Sequence, residues 1–173
     1  MHVTKAPYWS GRAAAAALGA FVWMAAGSNA FATQTISLTI PGSHPIPLIS
    51  FSTSASNTAT APGTTGKAVC GQVVVTKYID TDSYAFLTDL FRGTVTPTML
   101  ITFDDNGTID YSLQLDNVIV TEVSQSDAIS LSQLTESVKF LAAKYVYRFP
   151  TTTRTGNVTT RTFACDCTTN SPG

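Results

Sequence analysis

Residues 95–120, VTPTMLITFDDNGTIDYSLQLDNVIV, decide how the chain is read. The first part alternates through Val95, Pro97, Met99, Ile101 and Phe103, the period of two of a strand with one face on a core. Asp104-Asp105-Asn106-Gly107 interrupts it, and Asn-Gly between alternating runs signals a tight hairpin, because these residues tolerate the positive φ that such turns require. The returning run places Ile109, Tyr111, Leu113 and Leu115 on one face, then changes parity to Val118 and Val120. A bulge or sharp bend is therefore expected around Asp116-Asn117. Pro97 has no amide hydrogen to give a ladder, which marks residues 95–103 as an edge strand or a strand end.

Working outward, residues 33–40 alternate through Ile36, Leu38 and Ile40 and stop at Pro41-Gly42. A second strand is expected over residues 46–56, with Leu48, Ile49 and Phe51, followed by a long loop over residues 57–66. Val73, Val74 and Val75 mark a more deeply buried third strand over residues 71–78. Tyr84, Leu87, Leu90 and Phe91 then recur at spacings of three and four, the apolar face of one short helix. Asp80, Thr81 and Asp82 are its N-cap candidates, and Gly93 closes it. After a polar loop over residues 124–133, a last long strand starts at Thr135. Val138, Phe140 and Ala142 share one face and Tyr145, Tyr147 and Phe149 the other, so a second bulge is expected near Ala142-Ala143. Thr155-Gly156-Asn157 offers a turn for a hairpin in the tail. The fold class is mainly β and antiparallel, with paired bulges that bend a sheet toward a barrel and one short α-helix.

The 173 residues suit one domain, and 44% hydrophobic residues can bury a real core. Only 12% are charged, while Ser and Thr make up about a quarter, a profile of strand-rich exported proteins. A net charge of −1 and a pI near 6.0 exclude a general nucleic-acid binder. Residues 1–32 have the layout of a signal peptide: Lys5 and Arg12 precede an apolar run over residues 13–26, and small residues allow cleavage after Ala30 or Ala32. That run is shorter than the ~20 residues needed to span a bilayer, so no membrane span is expected in the mature form. Loss of Lys5 and Arg12 leaves eight basic against eleven acidic residues, a net charge of −3. The expected divisions are residues 1–32 as leader, 33–149 as a β-barrel domain and 150–173 as a C-terminal extension.

His44 is the only histidine of the mature chain, in a turn-rich linker with no obvious partner, so neither a Ser-His-acid triad nor a multi-histidine metal site is expected. The acidic pairs Asp80/Asp82 and Asp104/Asp105 are explained by cap and turn chemistry rather than by a two-carboxylate cleft. Asn106-Gly107-Thr108 and Asn157-Val158-Thr159 match a glycosylation pattern that is short and common. No catalytic residue, cofactor or metal is assigned, and enzymatic activity is not expected. Cys70, Cys165 and Cys167 are an odd set in an oxidising compartment. A disulfide from Cys70 to either Cys165 or Cys167 is expected. The Cys165-Asp166-Cys167 spacing, without a second ligand pair, is weak evidence for a redox or metal centre.

Several strings, taken in order, resemble the haemolysin-coregulated protein (Hcp) family, the tube protein of type VI secretion systems. They are Leu48-Ile49-Ser50-Phe51-Ser52, then Val73-Val74-Val75-Thr76-Lys77-Tyr78-Ile79-Asp80 leading to the helix that ends at Gly93, then Tyr111-Ser112-Leu113-Gln114-Leu115-Asp116-Asn117-Val118-Ile119-Val120, and Thr135-Glu136-Ser137-Val138-Lys139-Phe140 with Tyr145-Val146-Tyr147. The resemblance implies an antiparallel β-barrel with one flanking helix, assembled into six-membered rings that stack into a tube. It also implies a long loop that contacts neighbouring subunits, here Ser54, Asn57, Pro62, Gly63, Gly66 and Lys67. The partners so implied are further copies of the chain, with secretion-apparatus or effector proteins beyond them. The alternative is a monomeric, secreted β-barrel that binds a ligand or surface. Either way the leader places the protein in the periplasm or outside the cell.

Overall fold

Strands β5 (Val95–Asp105) and β6 (Thr108–Ser126) pair as an antiparallel hairpin in which Asp105 faces Thr108 across a two-residue turn. Asn106 and Gly107 both have positive φ, 53° and 84°, and the Gly107 amide donates to Asp104 Oδ1 at 2.6 Å. The expected hairpin is thus observed, with its turn chemistry. In the computed structural model, the described residues are 34–59, 61–62, 66–126, 133–152, 154–169 and 171–172. The leader expected at residues 1–32 lies outside them.

The other strands are β1 (Gln34–Thr39), β2 (Ile46–Leu48), β3 (Ser50–Asn57), β4 (Ala68–Tyr78), β7 (Thr135–Thr152), β8 (Val158–Asp166) and β9 (Ser171–Pro172). The ladder runs β2-β1-β5-β6-β7-β4-β3, and every pairing in it is antiparallel. Its two ends are consecutive in the chain: the stretch expected to be one strand switches partner at Ile49, pairing with β1 before it and with β4 after it. The Ile49 amide, donating to Thr76 O at 2.8 Å, ties this corner. The ladder is therefore closed through a covalent bend. β5 lies between β1 and β6 over Leu100–Asp105, so residues 95–103 are not an edge strand as a whole. Only the first half, with Pro97, extends past β1.

Buried Leu38, Ile46, Val73, Val75, Met99, Ile101, Leu113, Leu115, Val118, Val138 and Phe140 fill the interior. Burial changes parity in β6 from Leu113 and Leu115 to Val118 and Val120, as expected, but the ladder register does not slip there. Asn117, with φ of 52°, turns the strand instead, and the register shift comes later, between Val120 and Glu122. β7 changes parity beside the same point, from Ala142 to Tyr145, again without a slip.

Helix α1 (Asp82–Arg92) ends at Gly93 with φ of 64°, the left-handed close expected of a glycine. Its seat differs from the expectation. Ser83 and Phe86 are buried and Leu90 packs on the core, while Tyr84 and Phe91 are 77% and 85% exposed. The cause is Lys77, whose side chain is wholly buried. Its ammonium donates to Asp80 Oδ1 (2.6 Å), Glu136 Oε1 (3.0 Å), Ser83 Oγ (3.3 Å) and Tyr78 O (2.8 Å). A buried charge must find such partners, so Ser83 is drawn inward and the helix rotates about it. Asp80 caps the start by accepting the Asp82 amide at 2.9 Å, and Phe86 meets Phe140 edge-on at 5.8 Å.

Phe51, Tyr111, Phe149, Tyr147 and Phe163 form a chain of ring contacts across β3, β6, β7 and β8. Burial, with the neighbouring Tyr147 phenol adding to it, pushes the Tyr111 hydroxyl up to about 12.

Lys77→Met leaves the Glu136 carboxylate buried without its cation, and urea denaturation at neutral pH is expected to show a loss of about 3–5 kcal/mol. The double variant Lys77→Met/Glu136→Leu is expected to lose less than Lys77→Met alone. Because Tyr111 is raised, the folded state holds its proton where the unfolded chain releases it, so its contribution is intact below about pH 10 and is lost as pH rises toward 12. Tyr111→Phe should flatten the alkaline limb of a stability–pH profile over that window.

Candidate functional site

β4 is hydrogen-bonded to β7 only from Val73 to Tyr78; from Ala68 to Gln72 it pairs with β3 alone. The β3–β4 hairpin therefore projects beyond the ladder. Two residues of β4, Gly71 and Gln72, stand opposite the single Ser54, a bulge that sharpens the bend. A Cβ on Gly71 would collide with Ser54 Oγ, so glycine is required by this close approach.

The loop residues expected at subunit contacts all belong to this hairpin. Ser54 and Asn57 are exposed on β3, and Asn57 faces Ala68 in the ladder, so both strands of the hairpin run further than expected and the connection between them is residues 58–67. Thr58 and Lys67 close its neck: the Thr58 amide donates to Lys67 O at 3.0 Å, and the Lys67 amide donates to Thr58 Oγ1 at 2.8 Å. Asn57 Oδ1 accepts the Ala59 amide at 2.8 Å, close to Gly66, where any Cβ would overlap it. Pro62 and Lys67 are exposed. Gly63 lies outside the described residues. β3 carries no charged residue, and among the described residues its outer edge has no strand partner. A free edge thus lies here as well as along residues 95–99 of β5.

Beyond Phe140, β7 exchanges β4 for β8 as its neighbour, pairing with it from Lys144 to Thr152. The parting strands leave a cleft of about 390 Å³ lined by Val69, Cys70, Ile119, Leu141, Ala142 and Cys167, among others. Cys70 is bonded to Cys167 across it, with Cα atoms 5.8 Å apart and a sequence separation of 97. Of the two partners left open by the sequence, the structure takes Cys167. In the chain-entropy account a bridge of this span contributes about 4–5 kcal/mol. Cys165 is buried beside it, its Sγ 3.5 Å from that of Cys70. Tyr145 donates to Gly71 O at 2.8 Å, and its own ionisation is pushed up chiefly by burial. Asp166 is held below the usual carboxylate range, first by the Thr168 hydroxyl and then by the Thr169 and Thr168 amides.

His44, expected to lack a partner, meets Asp82 at 3.2 Å at the helix start. Ser43 Oγ beside it donates to Ile40 O, so no hydroxyl is prepared for attack at this pair. Asp104 and Asp80 serve the turn and the cap. On the helix, Tyr84, Leu87, Thr88, Phe91 and Arg92 border a shallow, largely apolar groove open to solvent.

A family model described as "Type VI secretion system effector, Hcp" matches residues 43–149. The chain belongs to the Hcp family. No curated protein matches it. Among solved structures it is similar to a type six secretion system protein, at 17% identity and a TM-score of 0.72, over 82% of this chain and 100% of that one. Hcp1 from Salmonella typhimurium is similar at 18% identity and a TM-score of 0.68, over 81% and 99% of the two chains. A type VI secretion system effector from Yersinia pestis follows at 13% identity and a TM-score of 0.61, over 76% and 98%. These likenesses establish the antiparallel Hcp fold with its single helix.

Gly71→Ala is expected to cost about 1–3 kcal/mol in urea denaturation, since the added methyl overlaps Ser54 and forces the bulge apart. Ser54→Gly removes the hydroxyl and should return part of that loss in the double variant.

Proposed function

We propose that this Hcp-family chain is an exported structural subunit that associates into closed rings, with the β3–β4 hairpin at the contact between subunits. The observation that carries the reading is a projecting hairpin whose outer strand, β3, is uncharged and has no strand partner on its outer edge among the described residues, in a chain of this family. Charged residues ordinarily guard such edges, and their absence lowers the cost of meeting another copy. Head-to-tail contacts between identical chains must close or run on as a filament, and the family resemblance favours closure. The exposed Tyr84–Phe91 side of the helix adds apolar surface that an assembly can cover. Residues 1–32 direct export to the periplasm or beyond, where the Cys70–Cys167 bond is stable. The function is structural rather than enzymatic, and stacking of rings and contact with secretion-apparatus or effector proteins follow from the same reading.

Native mass spectrometry of protein collected from the periplasm or medium tests it. The expected result is a closed oligomer, six-membered if the family pattern holds, of chains that begin at Phe31 or Thr33. Replacement of residues 59–66 by Asn-Gly keeps the Thr58–Lys67 neck and should weaken association while leaving the fold intact. A monomer at high concentration returns the alternative of a binding module, for which the cleft beside Cys167 is the place to look. An intact Met1 on cytoplasmic protein overturns export.

A further inference from the structure

We propose that Cys70, Cys165 and Cys167, in their thiol form, hold one soft d¹⁰ cation such as Zn²⁺ at the junction of β4, β7 and β8. In sequence only the Cys165-Asp166-Cys167 pair is visible. The fold supplies the third sulfur from β4, and all three Sγ atoms lie within 4.8 Å of one another. Thiolates around zinc at about 2.3 Å stand roughly 3.8 Å apart in a tetrahedron, so three sulfurs this close need only small side-chain rotations to share an ion.

The backbone holds each ligand in advance. Cys165 faces Tyr145 in the β7–β8 ladder, Cys70 faces Ala55 in the β3–β4 ladder, and the Cys167 amide donates to Ala143 O at 2.8 Å. Cys165 sits near the end of β8 and Cys167 in the turn that follows it, and the two sulfurs converge on that of Cys70. Cys165 is buried beneath the site, whereas Cys70 and Cys167 line the cleft. The fourth coordination position thus opens into a space of about 390 Å³, where a water or a small external ligand can bind. An all-sulfur donor set selects soft ions over Mg²⁺ or Ca²⁺.

Binding releases three protons to the buffer as three thiols become three metal–sulfur bonds, and no electrons move. The disulfide form retains only the Cys165 thiol, so disulfide and metal exclude each other. Passage from the first to the second requires two electrons, which a phosphine supplies as it takes oxygen from water to become the phosphine oxide.

The test uses the purified full chain, reduced with a phosphine under anaerobic conditions and titrated with Zn²⁺ against a chromophoric chelator. Co²⁺ serves in parallel for its thiolate charge-transfer band. One ion per chain is expected, with a band intensity matching three thiolates. Cys165→Ser and Cys167→Ser should each weaken Zn²⁺ binding by about 100-fold or more, with circular dichroism showing the fold retained. The more exposed Cys167 variant keeps the test decisive if the buried Cys165 variant fails to fold. His44→Ala should bind as wild type does, and the disulfide-bonded chain should bind none. No uptake by the folded, reduced chain overturns the proposal, as does undiminished binding in a folded Cys165→Ser or Cys167→Ser chain.

Discussion

The buried ammonium of Lys77 is the constraint from which much of this structure follows. A charge taken wholly out of water must be surrounded by acceptors, and Lys77 finds them on two strands and a helix start. Lys77 and Glu136 are direct cross-strand neighbours, so a one-residue slip between β4 and β7 would point one of them away from the other. Glu136 Oε1 accepts from both Lys77 and Ser83, which fixes the rotation of α1 as well as its position. The result overrides the helix's own amphipathic preference. Two aromatic side chains are turned to solvent so that a serine can be buried.

β7 is the second organising element, because its two halves serve different neighbours on one edge. Its first half belongs with β4 and its second with β8. Strands that share a partner must diverge where it changes hands, and at that point β6 and β7 both reverse the parity of their buried faces. The cleft is what the divergence leaves, and the Cys70–Cys167 bond spans it. A covalent link is useful there for a geometric reason: no ladder hydrogen bonds join β4 to β8, so the base of the projecting hairpin would otherwise rest on side-chain contacts such as Tyr145 to Gly71 O and Gln72 to Thr121.

Local chemistry in the sequence was enough to place the β5–β6 hairpin, the glycine close of α1, the parity changes in β6 and β7 and the set of strands, because each depends on residues near one another in the chain. The misreadings all concern long-range partners. Pro97 does mark a strand portion with a free side, but the sequence could not say that β1 covers the rest of β5. The switch at Ile49 leaves no turn residue behind, so β2 and β3 read as one strand. The helix face was misassigned since its orientation is set by Glu136, 53 residues from Ser83. For the candidate site, the loop and the three cysteines were legible as residues. Their convergence was not: Cys70 meets its partners only through the β4–β7–β8 arrangement.

That convergence bears on assembly. Association costs conformational entropy in whatever must be ordered at the contact, and a projecting hairpin of small polar residues is poorly suited to bear that cost alone. Here its neck is closed by Thr58 and Lys67, its bend is fixed by the Gly71–Ser54 approach, and its base is bonded to the end of β8. Each of these restraints acts before any neighbour arrives. The same disulfide that packs against the core therefore also stiffens the hairpin that projects from it. A braced, uncharged edge offers backbone hydrogen bonds in a fixed geometry, and it is that combination, rather than apolar area, that a strand-to-strand contact between subunits requires.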